Sequence, residues 1–390
     1  MWRPVFDEGG APSESSTVQL ASHAPPRVIV VGMHLDPRGR NPDDLLRSAW
    51  QGFGKSAAAA RRAGADISIV QAAWADAERE LDGVPCSFVS PNRVWARVAA
   101  GSPDVIHFEG LALPSELRHL AAAFPGVPIL AQDHGTPRPT GWRRWWLRRG
   151  LRRLSGAAFT AREQAEPFLA SGVLDPALPV FEIVEVSNGF TPGDQRAARS
   201  ATGMDGSPCL FWAGHLDANK DPLTVLDAVA GLGSRLPGLR LHMTYRSAPL
   251  LSSVRARLER DPDLAERVRL LGEVPHEAME SHLRAADFFL QASHVESCGA
   301  AVLEALACGT PPIVTNIPSF RRFTDRGRVG ALVPVGDEHG FRAAIEQWGG
   351  RDRPALRRAA RDYFTRELSF EAMGRQLCAA YDALAQWKAA

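Results

Sequence analysis

The chain has 390 residues, 45% of them hydrophobic, which is length enough for two domains and apolar surface enough for two cores, so a disordered chain is excluded. Lys and Arg number 45 against 44 Asp and Glu, and at a net charge of +1 the molecule as a whole has no field to draw nucleic acid or an anionic membrane; a charge-driven partner must use a local patch. The five cysteines are scattered and form no C-x-x-C pair, which argues against a disulfide scaffold and a structural zinc and fits a reducing cytoplasm.

In chain order, residues 1–26 are rich in Ser, Pro and Gly, lack an apolar leader segment, and read as a flexible tail. From Arg27 onward short β-rich runs at 28–31, 67–70, 105–108, 127–130 and 180–186 alternate with helical stretches at 45–63, Val94–Ala100 and 117–124. Such alternation predicts a parallel sheet covered on both faces, here an N-terminal Rossmann-like domain over 27–192. The Gly, Ser, Arg and Ala stretch that follows has no apolar period and predicts a linker over 193–208. A second series then supplies strands at 209–212, 239–243, 268–271, 288–290 and 313–315, and helices near 222–232, 251–258, 278–286, Ala300–Ala307 and 341–348, for a C-terminal Rossmann-like domain over 209–368. An amphipathic helix, Phe370–Trp387, closes the chain within 369–390. Ligands of open α/β sheets sit beyond the carboxyl ends of the strands, so two such halves predict a cleft between them. No window reaches the roughly 18 uncharged apolar residues of a membrane span, and a soluble protein is expected.

Several motifs fail. Gly54-Lys55-Ser56 resembles the end of a P-loop, but Ala49 stands at the glycine position and no strand leads into it. His276-Glu277 is followed by Glu280 where a zincin needs histidine, and Gly231-Leu-Gly233 follows a helix and lacks its third glycine, so metalloprotease and dehydrogenase readings fall.

The informative segment is His294-Val-Glu296-Ser-Cys-Gly299, continuing through Glu304 to Gly309-Thr-Pro-Pro. Only Glu304 is charged between Ala300 and Cys308, so the helix is expected to be mostly buried, with Glu304 either partnered or facing water from one edge. The helix opening at Gly299 offers unpaired N–H groups and a positive dipole end, a receptor for phosphate, and Glu296 stands on the lip of the same place.

This block resembles the E-x7-E signature of retaining glycosyltransferases with the GT-B fold, most closely glycosyltransferase family 4. Around it, Gly214-His215-Leu-Asp-Ala-Asn-Lys220 resembles the family's G-R-L-x-x-x-K loop, with further matches in 267–272, 285–290 and 330–337. In the first half the likeness is thinner, resting on 103–107, 128–135 and 186–189. The resemblance implies two facing Rossmann-like domains, with the terminal helix crossing back onto the first. It implies that Gly214, His215, Lys220, Arg246, Gly299, Ala300 and Glu304 form a donor site for a nucleoside-diphosphate sugar. Lys220 would hold the diphosphate, Glu304 the ribose, and Glu296 the transferred sugar. His215 replaces the usual arginine, and a mostly neutral imidazole cannot supply a fixed charge or a bidentate fork. Residues 242–247 replace a glycine-rich turn, with Arg246 as a substitute charge. On the acceptor side, His134 is placed against the transferred sugar, while His34 and Arg38 lie in the first-strand turn.

The activity so implied is a retaining, hexosyltransferase-type transfer to the hydroxyl of a small-molecule or lipid-linked acceptor. No cofactor or metal is expected, the charge on the leaving diphosphate being left to Lys220 and the helix end. The rivals are a GT-B phosphorylase or nucleotide-sugar epimerase, and a non-catalytic nucleotide-sugar-binding protein. Residues 142–154 form one strongly basic stretch with three tryptophans. Packing of Trp142, Trp145, Trp146, Leu151 and Leu154 on the sheet, with Gly150 interrupting the helix, is the default reading. Weak peripheral contact with the inner face of a membrane is the other.

Overall fold

The computed structural model describes residues 24–44 and 51–387. Residues 1–23 of the expected tail, 45–50 of the first expected helix, and 388–390 lie outside the described residues.

Two sheets organise the chain. The first has eight strands: β1 (Arg27–Gly32), β2 (Asp66–Ala72), β3 (Ala77–Leu81), β4 (Val84–Val89), β5 (Val105–Glu109), β6 (Ile129–Gln132), β7 (Gly156–Phe159) and β8 (Val180–Glu182). They run in the order β3-β4-β2-β1-β5-β6-β7-β8. All pairings are parallel except β3 with β4, a hairpin turned at Asp82-Gly83, where both φ angles are positive. That Asp-Gly pair is a strong local hairpin signal, but β3, Ala-Glu-Arg-Glu-Leu, is polar and shows no apolar run. β7 is also absent from the expected strands; its Gly-Ala-Ala-Phe sequence has low strand propensity, but every one of its residues is buried between β6 and β8.

The second sheet holds β9 (Cys209–Gly214), β10 (Arg240–Tyr245), β11 (Val268–Gly272), β12 (Phe288–Gln291), β13 (Pro312–Thr315) and β14 (Ala331–Val333). Its order, β11-β10-β9-β12-β13-β14, is that of a doubly wound dinucleotide fold and reverses between β9 and β12. These strands read as continuous apolar runs because helices cover both faces: Phe211, Trp212, Phe288 and Phe289 are fully buried.

The stretch 193–208 is not simply a linker. It contains a helix, Gln195–Thr202, whose N-cap Asp194 accepts from Ala197 N–H. Gln195 and Arg199 bind the buried Asp287 carboxylate, at 3.1 and 3.0 Å, and Asp287 also accepts the Cys209 N–H. The segment shows no apolar period because its anchoring is polar.

The terminal helix Phe370–Trp387 crosses back onto the first domain and lies against Gln51–Arg62. Gly374 permits the approach, since a Cβ there would sit 2.4 Å from the Ala59 carbonyl oxygen. Tyr381 reaches further in, its hydroxyl 2.8 Å from His107 Nδ1 on β5.

The packing reading of 142–154 is half corrected. In the helix Gly141–Leu151, Leu147 and Leu151 are buried, as is Leu154 beyond it, but Trp142, Trp145 and Trp146 are turned outward. Gly150 does not interrupt the helix; it is buried against Pro114, where a Cβ would stand 2.3 Å from the proline ring.

Candidate active site

The reversal of strand order decides where the chemistry collects. Loops leaving β9 and β12 diverge at that point and leave a crevice at the carboxyl end of the sheet. The β9 loop ends at Lys220 and enters the helix Pro222–Ala230, capped by the Asp221 side chain. The β12 loop carries Glu296 and enters the helix Ala300–Ala307 at Gly299, whose φ of 88° favours glycine and whose Cβ would meet Phe320 at 2.5 Å.

The two loops are stitched together. Asn219 donates to the Val295 carbonyl and accepts the Val295 N–H, both at 3.1 Å, and His294 lies 3.0 Å from Asp221. Asp217 accepts the Lys220 N–H at 2.9 Å. The result aims the Lys220 ammonium directly at the Glu296 carboxylate, with both side chains largely buried.

These groups line a cavity of about 430 Å³ that brings together Gly214, His215, Lys220, Arg246, Glu296, Gly299 and Ala300. Gly299 has no side-chain cap, so the helix end faces the space with its N–H groups. Two buried polar atoms on the wall, His215 Nδ1 and Gln291 Oε1, have no partner, which suits a polar occupant. Gln291 also donates toward Glu296 at 3.4 Å.

Glu304 opens onto an adjoining recess of about 360 Å³ with Asn188 and Phe190; Ala300 and His276 line both spaces. Burial pushes the Glu304 carboxyl up to about 7, and its ring neighbour is His276 at 3.4 Å. The helix Ala300–Ala307 thus separates Glu296 at its N-terminal lip from Glu304 on its flank.

Across the cleft, His134 sits in the loop after β6, gripped by two carboxylates: Nε2 on Glu109 and Nδ1 on Glu185 at 3.4 Å. Burial lowers its pKa, but the hydrogen bonds and charges of Glu109 and Glu185 outweigh this and raise it to about 10, so the ring is an imidazolium at neutral pH. Burial pushes Glu109 up, yet His134 and its neighbours hold it below the ordinary value. His107, fully buried beside it, is held neutral by burial.

The first domain touches the Glu296 loop directly. Gln164 donates to the Glu296 and Ser297 carbonyls, at 3.1 and 2.7 Å, and a Cβ at Gly135 would lie 3.1 Å from Ser297. His34 and Arg38 do not line the cavity. His34 lies beside Gly110 near Glu109, and Arg38 is exposed in a turn held by the Asp36–Arg40 pair. Among the described residues, no group of three or more His, Cys, Asp or Glu side chains could hold a metal ion.

Glu109, Glu185, Gln291 and Asn219 escaped the sequence reading. For Glu109 and Gln291 a signal existed: each is the polar residue that ends a strand apolar but for His107, Val-Ile-His-Phe-Glu and Phe-Phe-Leu-Gln. The carboxyl end of a parallel strand is where such a residue meets the ligand crevice.

Residues 207–349 match the family model described as Glycosyl transferases group 1. D-inositol 3-phosphate glycosyltransferase of Geodermatophilus obscurus is 34% identical over 209 residues, covering 52% of this chain and 46% of that protein. Phosphatidyl-myo-inositol mannosyltransferase of Mycolicibacterium smegmatis is 29% identical over 262 residues, covering 64% of this chain and 62% of that protein. The chain spans about half the length of the curated relatives it matches. Among solved structures, sucrose-phosphate synthase of Thermosynechococcus elongatus superposes with a TM-score of 0.66 at 16% identity, covering 93% of this chain and all of that one. HepE of Anabaena, in complex with UDP, gives 0.67 at 16% identity, covering 92% of this chain and all of that one. At such identities the likeness shows the fold, which is GT-B.

Proposed function

We propose, from the premise that residues 207–349 form a group 1 glycosyltransferase domain in a chain of GT-B fold, that the protein is a retaining glycosyltransferase. It moves a sugar from a nucleoside-diphosphate donor to the hydroxyl of a small-molecule or lipid-linked acceptor. The observation that carries this reading is the cavity at the β9/β12 reversal, where Lys220, Arg246 and the open end of the helix Ala300–Ala307 face one space.

As the glycosidic bond breaks, negative charge grows on the leaving diphosphate. Lys220, Arg246 and the helix N–H groups stabilise it in a partly dry site, the role a metal plays elsewhere. An arriving diphosphate competes with Glu296 for Lys220. Taking the lysine frees the Glu296 carboxylate toward the sugar, where positive charge develops at the anomeric carbon. Glu304 receives the ribose, and the His134 imidazolium faces the cleft from the acceptor side. Retention belongs to the reading because 294–312 resembles retaining enzymes. The relatives' names, an inositol phosphate and a phosphatidylinositol glycosyltransferase, support the acceptor class.

Thermal-shift measurement with UDP, GDP, ADP and dTDP tests the donor half. A ligand at 100 times its Kd stabilises by about 2.7 kcal/mol. The stabilising nucleotide's sugar conjugates, incubated with and without acceptors, test the rest. An epimer formed from donor alone would move the assignment to an epimerase, and a shift with none of the four would overturn the donor site.

A further inference from the structure

We propose that the outer face of the helix Gly141–Leu151 docks on an anionic lipid bilayer. The proposal does not rest on the sugar-transfer reading.

Between Asp133 and Glu163 the chain contains no acidic residue, whereas six arginines fall between 143 and 153. Helix geometry sorts them. Leu147, Gly150 and Leu151 form the inward face against the domain core. Trp142, Trp145 and Trp146, at i, i+3 and i+4, stand together on the outward face, 79%, 63% and 42% exposed. Arg149 continues this stripe one turn on, its guanidinium 4.9 Å from the Trp145 ring centroid, and the Trp142 and Trp146 rings lean together at 6.3 Å. Among the described residues no carboxylate pairs with any of the six arginines.

A basic recess adjoins the tryptophans. Between this helix and Pro114–Ala123 lies an open space of about 650 Å³ lined by Arg118, His119, Arg149, Arg152 and Arg153, with no acidic residue on its wall. Six unpaired cations on thirteen residues repel one another, and an anionic partner relieves that repulsion. Three exposed indoles are costly in water but stable at a headgroup boundary, where the ring is half buried and its N–H stays wet. A tryptophan stripe flanked by arginines on a convex helix face therefore fits a lipid surface, with the recess taking headgroup phosphate. A protein partner would instead need a pocketed surface to seal the rings.

Position gives the face a consequence. The helix begins at the carboxyl end of β6, directly after the loop that carries His134, so its tryptophans lie at the cleft end of the first domain. Docking turns the mouth of the cleft toward the bilayer.

Co-sedimentation of the full chain with phosphatidylcholine vesicles, with and without phosphatidylglycerol, tests the proposal at low and high salt. Binding to the anionic vesicles alone, lost at high salt, is expected. Replacing Arg148, Arg149, Arg152 and Arg153 by Gln should weaken it at least 100-fold, at about fivefold per arginine near an anionic surface. Replacing Trp142, Trp145 and Trp146 by Ser should abolish quenching of tryptophan fluorescence by brominated acyl chains. Both variants should keep the parent's melting temperature, because every replaced side chain is exposed. Failure of the parent to sediment with anionic vesicles at low salt overturns the proposal. So does unchanged binding by both variants, or retention on heparin without vesicle binding.

Discussion

On the wall built by the second domain, Lys220 meets one carboxylate, Glu296, from a loop 76 residues away; on the first-domain wall His134 is held between two, Glu109 and Glu185. The lysine is a flexible point charge with one partner, and a ligand that offers two phosphates can take it. The imidazolium is clamped on both ring nitrogens, so a ligand must displace two carboxylates to take it. This cleft keeps exchangeable charge on the wall of the second domain and fixed charge on that of the first.

The most damaging break removes the exchangeable charge. Lys220→Ala should lose a charge-assisted contact of roughly 1.5–3 kcal/mol, about 10- to 150-fold in kcat/KM. Steady-state kinetics that match the parent's would remove Lys220 from the site. Glu296→Gln sharpens the same contrast from the other partner. It leaves Lys220 without its competitor, so nucleoside diphosphate should bind at least as tightly by calorimetry while turnover falls at least 10-fold, about 1.4 kcal/mol. Loss of nucleotide affinity in this variant would mean that Glu296 holds donor and not sugar.

Glu304 offers a pH test. Its raised folded-state pKa favours the neutral form; that contribution is fully present below about 4.5 and is lost as pH rises through about 7. The unfolding free energy should fall by on the order of 1 kcal/mol between pH 5 and 8 in the parent and stay flatter in Glu304→Gln. The same variant should raise KM for donor more than it lowers kcat. His134 has the opposite anchoring but the same sign. Its raised pKa contributes stability that is complete below about 6.5 and disappears as pH climbs through about 10. The ring is 38% exposed, so solvent screening limits the term to about 1 kcal/mol or less. A denaturation series from pH 7 to 10 should show that loss in the parent and not in His134→Asn. Identical curves would show that the clamp carries no net stability.

The sequence by itself determined the two strand series apart from β3, β4, β7 and β14, the turn of Gly299 into its helix, and the loop bearing Lys220, because each is written in neighbouring residues. Apolar runs of four to six, a glycine where φ is positive, and a lysine at a helix start need no distant partner to be recognised. Only the tertiary structure decided which charges meet. Glu296 finds Lys220, Glu109 and Glu185 find His134, and Asp287 gathers Gln195 and Arg199 across spacings of 25 to 92 residues that no local pattern encodes. The helix Gly141–Leu151 shows the limit most plainly. Its composition announces tryptophan and arginine, but which face turns inward was settled by Gly150 fitting against Pro114, a contact between helices that only the folded chain brings together.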